Sequence, residues 1–422
     1  MPPIVGLAAR TVRGLEWVAA EEIETALPGA RRLELAVRQV NFTMPGEEAA
    51  AAATLRTVDD VFLRAGAVRG VGTDRKAPAQ LARAVTRLDL AGALDALRRA
   101  RRSAGTEPLL DVVVSLGGSR RYNRYDVEDA VGAEVGRILS AAYVSRRDGP
   151  PPATGFSLRV AVTGDRAEVL FRLGSQPLHR RPWKVATGPG TLHPPVAAAL
   201  VRLAGSPPLV IDPCCGDGTI LIEAATSGAV AIGADLDPRR VRNSGVNAAR
   251  ARCASAVGLV RADAAALPLR DAVALPMRDA AALPMRDAAL PVRDGAGLFS
   301  PQAGGAAVSA AIVTNPPWNR AVGAGGGLAE SLGSLWNEAG RVLDGSGVVA
   351  LVEDAGGDAT TPESSSPESW GWRLALRQQA RLAGRVVVVS VASAQDQAVL
   401  PEGLDRWRRR SIDAGVTTAT GF

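Results

Sequence analysis

Apolar and polar residues follow two different patterns along the chain, and the change falls near residue 190. Before it, short strand-like runs such as 156–163 mix with amphipathic helical patterns such as 88–102, which is typical of small α+β modules. From residue 194 onward, each apolar strand-like run precedes a helical pattern. This strict alternation predicts a parallel sheet with helices on both faces, because apolar residues on both sides of a strand must be covered.

Three segments stand out from these patterns. Residues 177–193 contain several Pro and Gly residues and predict an interdomain linker. Residues 264–309 hold a repeat of the form Leu-Pro-x-Arg-Asp that starts at Leu267, and its prolines exclude one continuous helix. We expect this repeat to be a low-complexity surface loop, with a binding element as the alternative. The alanine-rich stretch 49–61 predicts a helix.

The amino-acid composition excludes several classes of protein. With 47% hydrophobic and 22% charged residues, the 422-residue chain can bury a core, which excludes global disorder. We find no apolar stretch that predicts a membrane span and no secretory signal. Three cysteines cannot form a disulfide framework, and the two histidines argue against a structural zinc site. We therefore expect a cytoplasmic, monomeric protein that binds neither membrane nor metal.

The positive charge comes almost entirely from arginine. The formal net charge is +6, and lysine occurs only at Lys76 and Lys184. A GC-rich genome explains this composition, and so does a polyanionic partner whose phosphates the arginines would neutralise. Composition alone does not separate these explanations, so the placement of the arginines must decide.

The clearest chemical signal is the sequence Asp-Pro-Cys-Cys-Gly-Asp-Gly-Thr at 212–219, directly after an apolar strand-like run. A Gly-x-Gly turn that leaves a parallel strand lets the backbone approach a nucleotide-like ligand. Leu221 occupies the position where a dinucleotide-binding fingerprint has its third glycine, which argues against NAD. A tight strand-to-helix turn is the purely structural alternative.

Acidic residues end the next two predicted strands. Asp235 follows the turn by about 20 residues, where a carboxylate can accept hydrogen bonds from both ribose hydroxyls. Asp237 suits the N-cap of a helix that begins at Pro238. Asp263 ends the third strand and is placed to face an adenine amino group. Each of these aspartates alone could be a helix cap, but Asp212, Asp235 and Asp263 end three successive predicted strands, which favours a ligand site.

The fourth strand leads into Asn315-Pro316-Pro317-Trp318. Two consecutive prolines hold the backbone rigid. The Asn315 amide oxygen and the Pro316 carbonyl are acceptors that can hold the two hydrogens of an exocyclic amine, which directs the nitrogen lone pair toward an electrophile. Trp318 offers a face for stacking a base. A rigid loop with a core tryptophan is the structural alternative.

Together these motifs resemble the class I S-adenosylmethionine-dependent methyltransferases that modify exocyclic amino groups. The resemblance implies a Rossmann-like domain with a mainly parallel seven-stranded sheet and S-adenosylmethionine as the cofactor. It makes Asn315, Pro316, Pro317 and Trp318 the catalytic loop, and assigns Asp235 to the ribose and Asp263 to the adenine. The remaining implied cofactor-binding residues are Asp212, Pro213, Gly216, Gly218 and Thr219.

The first half and the linker resemble THUMP-containing guanine-N2 methyltransferases of tRNA and rRNA. This resemblance implies a ferredoxin-like segment at 1–70, a THUMP RNA-binding domain at 71–176, the linker at 177–193 and the methyltransferase domain at 194–422. Basic residues beside aromatic ones suit phosphate contact and base stacking. The candidate RNA-binding residues are Arg120, Arg121, Tyr122, Arg124, Arg180, Arg181 and Lys184.

We therefore expect a methyltransferase that modifies the exocyclic N2 amino group of a guanine in structured RNA, with tRNA near the acceptor stem as the substrate. The alternatives are an rRNA guanine-N2 methyltransferase, an N-methyltransferase acting on a protein glutamine or a DNA adenine, and a non-catalytic RNA-binding protein with a degenerate transferase fold. We do not expect Cys214 or Cys215 to act as a nucleophile, because buried thiols are usually inert.

Overall fold

The computed structural model describes residues 3–102, 109–147, 149, 155–269, 310–317, 323–329, 331–343, 347–355, 367–394 and 399–420. The chain packs as two compact units. The first comprises Met1–Thr11 and Glu22–Leu178, and the second comprises Val12–Glu21 and His179–Phe422. The predicted division at residue 70 stays a prediction.

The first unit is built on a mixed sheet. Among the described residues, its eight strands lie in the order β2-β3-β1-β4-β8-β7-β5-β6. The strand β5 pairs in parallel with β6 and β7, and the other pairs are antiparallel. The strands are β1 (Ile4–Thr11), β2 (Arg31–Ala36), β3 (Gln39–Pro45), β4 (Val58–Arg69), β5 (Leu109–Leu116), β6 (Ala142–Tyr143), β7 (Phe156–Thr163) and β8 (Arg166–Arg172).

Two of the helices before residue 178 begin at residues whose side chains cap them. The side chain of Asp89 accepts a hydrogen bond from the Gly92 amide at the start of α3, and Asn123 forms a capping box with Asp126 at the start of α4. These caps satisfy amides that have no partner within the helix. The helices are α1 (Glu16–Ala26), α2 (Ala77–Val85), α3 (Leu90–Arg101) and α4 (Arg124–Leu139).

The helix predicted for 49–61 is wrong over its second half. Only Ala49–Thr54 forms a short 3₁₀ helix, and β4 begins at Val58. Val61 and Phe62 are buried in β4, which pairs with β1 and β8. β-Branched and aromatic residues fit a buried strand, so tertiary pairing outweighs the local helical pattern.

The second unit has the predicted, mainly parallel sheet. Its seven described strands lie in the order β11-β10-β9-β12-β13-β15-β14. Those from β9 to β13 pair in parallel, whereas β15 is antiparallel to β13 and β14. The strands are β9 (Leu209–Asp212), β10 (Val230–Asp235), β11 (Val257–Arg261), β12 (Ala310–Thr314), β13 (Val348–Asp354), β14 (Arg373–Leu382) and β15 (Arg385–Ser393).

Helices alternate with these strands as the sequence predicts. Asp237 caps α7 by accepting a hydrogen bond from the Arg239 amide at 2.8 Å, which confirms its expected capping role. The apolar core of the sheet includes Ile211, Ile312 and Trp336. The helices are α5 (Pro194–Leu203), α6 (Thr219–Thr226), α7 (Pro238–Arg250), α8 (Gly333–Leu343) and α9 (Glu402–Asp413).

Of the first copy of the Leu-Pro-x-Arg-Asp repeat, residues 267–269 are described, and the expectation of a surface loop is corrected for Leu267 alone. Leu267 is buried in the core of the second unit, and its amide donates a hydrogen bond to the Glu338 side chain at 2.6 Å. Arg341 in turn donates to the carbonyls of Leu267 and Leu269. Burial of a large apolar side chain explains why Leu267 is held in place. The rest of the repeat, from Arg270 onward, lies outside the described residues.

A buried ion pair joins the predicted linker to α6. Arg181 Nε lies 2.9 Å from Glu223 Oε1, and the two side chains are 8% and 0% exposed. A carboxylate removed from water is stabilised only by such close charge and hydrogen bonding. The linker is therefore anchored to the second unit at this point.

We expect Glu223→Gln to lower the free energy of unfolding by about 3–5 kcal/mol, because it removes the negative charge that neutralises buried Arg181. Urea unfolding followed by tryptophan fluorescence measures the change. The matched control is Arg409→Gln, which breaks an exposed pair with Asp405 and should leave stability nearly unchanged. Equal effects of the two substitutions would contradict this account of the buried pair.

Candidate functional site

A cavity of about 760 Å³ opens at the carboxyl ends of the parallel strands of the second unit. It lies where the strand order reverses, between β9 and its two neighbours β10 and β12, which is where open α/β sheets bind ligands. Three parts of its wall are the segments that the sequence singled out: the turn after β9, the ends of β10 and β11, and Asn315–Pro317. Its size is in the usual range for small-molecule sites.

Asp212 ends β9 inside the cavity wall. Its Oδ1 accepts hydrogen bonds from Thr314 Oγ1 at 2.7 Å and from the Cys214 amide at 3.1 Å. Burial raises the pKa of Asp212 to about 7, although these two hydrogen bonds act in the opposite direction. Pro213 follows it in the wall.

Burial also raises the pKa values of Cys214 and Cys215, so neither thiol is activated as a nucleophile.

The two glycines of the turn have different roles. Gly216 lines the cavity with a φ of +54°, and a Cβ built there would meet no atom within 4 Å. The backbone is thus open for close approach of a ligand. Gly218, with a φ of +82°, lies outside the set of residues that line the cavity, and a Cβ there would come within 2.8 Å of Ser244 Oγ. Gly218 therefore allows α6 and α7 to pack closely.

Asp235 and Asp263 line the cavity at the ends of β10 and β11. Asp235 accepts hydrogen bonds from the amides of Gly216 and Asp237, both at 2.9 Å, and burial raises its pKa. Asp263 accepts from the amides of Ala265 at 3.0 Å and Gly327 at 2.8 Å. Each carboxylate is thereby fixed by backbone donors and keeps acceptor capacity for a ligand.

Two polar atoms of the cavity wall lack hydrogen-bond partners among the described residues. The Oδ1 atom of Asn315 and the Oγ1 atom of Thr219 are both buried without a partner. Asn315 Nδ2, by contrast, donates to the Gly190 carbonyl at 3.4 Å. Because a buried polar atom is costly when unsatisfied, these two atoms mark positions where a ligand would supply the missing hydrogen bonds. Pro316 and Pro317 also line the cavity, whereas Trp318 lies outside the described residues.

The predicted linker forms part of the cavity wall, a role that the sequence did not indicate. Residues 188–192 line the cavity beside the turn after β9. Asn247 of α7 holds the preceding residues: its Oδ1 accepts from the amides of Val185 and Ala186, and its Nδ2 donates to the Ala186 carbonyl. Because the residues joined by these hydrogen bonds are far apart in the sequence, no local pattern predicts the contacts. The Pro and Gly residues indicate only that this segment is neither helix nor strand.

Among the candidate RNA-binding residues of the first unit, Arg120 and Tyr122 are engaged within the protein. Arg120 donates to the carbonyls of Gly72 and Gly164, and the Tyr122 hydroxyl also donates to Gly72. Tyr122 is buried, so its ring is not available for stacking on a base. This corrects the prediction for Tyr122 and gives Arg120 a structural role.

Arg121 and Arg124 are exposed, and Arg124 lies over the Tyr125 ring at 4.6 Å. In the second unit Arg180 is exposed as well. Lys184 instead donates to the Leu192 carbonyl at 2.9 Å, and burial lowers its pKa. Arg181 is held in its buried ion pair, and RNA contact by Arg181 and Lys184 stays a prediction. Both stabilise the linker.

The family comparison matches residues 181–275 to UPF0020, described as the RMKL-like methyltransferase domain. The chain is also similar over nearly its whole length to the crystal structure of TrmN from Thermus thermophilus. The TM-score is 0.62 at 24% identity, covering 92% of this chain and 99% of that one. The second unit has the class I methyltransferase fold. Its strand order and its cavity at the switch point agree with that assignment.

Two curated relatives match shorter parts of the chain. The tRNA (guanine(6)-N2)-methyltransferase of Thermus thermophilus is 38% identical over 139 residues, or 32% of this chain and 40% of that protein. The ribosomal RNA large subunit methyltransferase K/L of Desulfotalea psychrophila is 41% identical over 72 residues, or 16% of this chain and 10% of that protein. The matches thus span less than half the length of either relative.

No described helix is long and apolar enough to cross a membrane. Nor do the described residues contain a group of three or more His, Cys, Asp or Glu side chains arranged to hold a metal ion.

The pKa of Asp212 predicts a pH-dependent stability. A carboxyl with a pKa of about 7 in the folded state and its usual value of 3.8 in the unfolded chain stabilises the fold at low pH. That contribution is lost as the pH rises toward 7, at about 1.4 kcal/mol per pH unit. We expect Asp212→Asn to remove this loss, so the variant gains stability relative to wild type between pH 4 and 7. Urea unfolding across this range measures it, and parallel pH curves would contradict the prediction.

Proposed function

We propose that this protein transfers a methyl group from S-adenosylmethionine to the exocyclic N2 amino group of a guanine in RNA, with tRNA near the acceptor stem as the substrate. One observation carries the proposal: Asn315 Oδ1 is a buried acceptor in the cavity wall, with no partner among the described residues. An amine brought into the cavity would supply the missing donor.

The cavity residues fit S-adenosylmethionine as the cofactor. The open backbone at Gly216 and the unpartnered Thr219 hydroxyl suit the methionine end, together with Asp212. Asp235 would accept from the ribose hydroxyls and Asp263 from the adenine amino group. When bound, S-adenosylmethionine supplies an electrophilic methyl group and leaves as S-adenosylhomocysteine.

On the acceptor side, Asn315 Oδ1 and the Pro316 carbonyl would each accept one hydrogen of the amine. This orients the nitrogen lone pair, which forms the new N–C bond as the C–S bond breaks. The methylated nitrogen is positively charged and acidic, so its proton leaves to water without a strong base. The protein thus contributes position and desolvation, and we propose that Trp318 stacks on the guanine after it is flipped out.

RNA is favoured as the substrate class by the curated relatives, whose names specify tRNA and rRNA, and by exposed Arg121, Arg124 and Arg180. An rRNA guanine is the second candidate because one relative acts on ribosomal RNA. Another amine, such as a protein glutamine or a DNA adenine, would not need a THUMP-like module, which we propose for residues 71–176. A degenerate, non-catalytic fold is disfavoured by the unpartnered Asn315 acceptor.

The first test is transfer of labelled methyl from S-adenosylmethionine to unmodified tRNA and, separately, to rRNA, followed by nucleoside analysis. We expect N2-methylguanosine from tRNA. Asn315→Ala should lower kcat about 10²–10³-fold, because it removes a hydrogen bond that the reacting amine needs, and should leave the Kd for tRNA unchanged. Equal losses of kcat and tRNA affinity would contradict the role of Asn315. Product in neither RNA would refute the proposed substrate.

We expect the double substitution Arg121→Ala with Arg124→Ala to weaken tRNA binding and to reduce the slope of log K against log salt by about 1 per lost phosphate contact. Filter binding at several salt concentrations measures the slope. Arg137→Ala is the control, since Arg137 is also exposed, lies at the far end of α4 and pairs with Glu134. A slope unchanged by the double substitution would remove these residues from the RNA interface.

A further inference from the structure

The stretch 184–192, which we call the strap, has several of its backbone amides and carbonyls held by side chains of the second unit. The amides of Val185 and Ala186 donate to Asn247, and the Gly188 amide donates to Asp217 Oδ2 at 2.8 Å. Arg240 Nη2 donates to the Pro189 carbonyl at 2.5 Å. A segment that was expected to be a linker is therefore fixed in one conformation.

Asp217, the middle residue of the Gly-x-Gly turn, is the centre of this network. Its side chain is buried, and it accepts hydrogen bonds from Thr191 Oγ1, from Asn243 Nδ2 at 2.8 Å and from Arg240 Nη1 at 2.7 Å, besides the Gly188 amide. Burial would raise the pKa of Asp217, but these donors together lower it, so the carboxylate stays ionised. A charge-assisted network of this kind is stronger than neutral hydrogen bonds.

The strap contacts Asn315 through the carbonyl of Gly190. Between the two strap residues that Asp217 holds, Gly188 and Thr191, lies Gly190, whose carbonyl accepts from Asn315 Nδ2 at 3.4 Å. A side-chain amide has a donor end and an acceptor end, and rotation by half a turn exchanges them. The Gly190 carbonyl favours the orientation in which Nδ2 faces the strap and Oδ1 remains the acceptor.

We propose that Asp217 is a positioning residue for methyl transfer: it fixes the strap so that the Gly190 carbonyl holds the Asn315 amide with its oxygen toward the reacting amine. The inference rests on the proposed function of Asn315. It adds that the cofactor turn and the catalytic asparagine are coupled through the strap. A reversed Asn315 would present N–H groups to an amine whose own hydrogens need acceptors, and transfer would slow.

The test replaces Thr191, because removal of the buried Asp217 charge itself could unfold the domain. Thr191→Val keeps the size of the side chain and removes the hydroxyl that Asp217 accepts. We expect kcat to fall about 10-fold or more through misplacement of Asn315, with unchanged KM for RNA and for S-adenosylmethionine. Thr191→Ser keeps the hydroxyl and should recover most of the rate. Thr187→Val is the matched control, since Thr187 is an exposed strap residue outside the cavity wall.

A double-mutant cycle separates positioning from a general loss of stability. If Thr191 acts through Asn315, Thr191→Val should have little further effect on the residual rate of Asn315→Ala, measured in single turnovers. Independent, multiplied losses would overturn the proposal. So would a fall in kcat for Thr187→Val equal to that for Thr191→Val.

A substrate-free measurement distinguishes failure of this inference from failure of the proposed function. The side-chain amide signals of Asn315 in ¹⁵N spectra can be identified by their absence in Asn315→Ala. We expect Thr191→Val to shift these signals and Thr187→Val to leave them in place. Shifted signals support the coupling even if neither RNA is methylated, whereas unchanged signals in Thr191→Val refute it whatever the acceptor is.

Discussion

The parallel pairing of β9 with β10 on one side and β12 on the other creates the crevice on which the whole site depends. Carboxyl ends of parallel strands share one edge of a sheet, and at this reversal of strand order the edge opens into a cavity. Asp212, Asp235 and Asn315 lie far apart in the sequence and line the same cavity for this reason. Without that pairing, the motifs would be isolated turns.

Burial and hydrogen bonding give Asp212 and Asp217, which lie at the same edge of the sheet, different charge states. Asp212 is buried with two donors, and its pKa rises to about 7. Asp217 is also buried, but it receives a guanidinium and several other donors, and its pKa falls. The Asp212 carboxyl group is therefore about half protonated near pH 7, while Asp217 anchors the strap as an anion. The number of donors, rather than burial alone, decides the charge state.

Much of the fold follows from local patterns. The alternation after residue 194 predicted the parallel strands and their helices, and Asp237 was identified as a cap because a proline follows it. The patterns failed where long-range contacts decide the outcome. At 58–61 pairing with β1 outweighs an alanine-rich helical signal, and at Leu267 burial in the core fixes a residue whose repeated copies suggested a surface loop.

By itself, the sequence determined the class of the second unit, the position of its turn and the residues at its strand ends, because these depend on spacing and periodicity. Only the tertiary structure decided which polar groups are already satisfied. Arg181 and Tyr122 have intramolecular partners, whereas Asn315 Oδ1 has none among the described residues. The strap, too, is fixed by Asp217 and Asn247, which follow it in the chain by roughly 30 to 60 residues. Hydrogen bonds over such separations leave no periodic signal, since each depends on how distant elements pack.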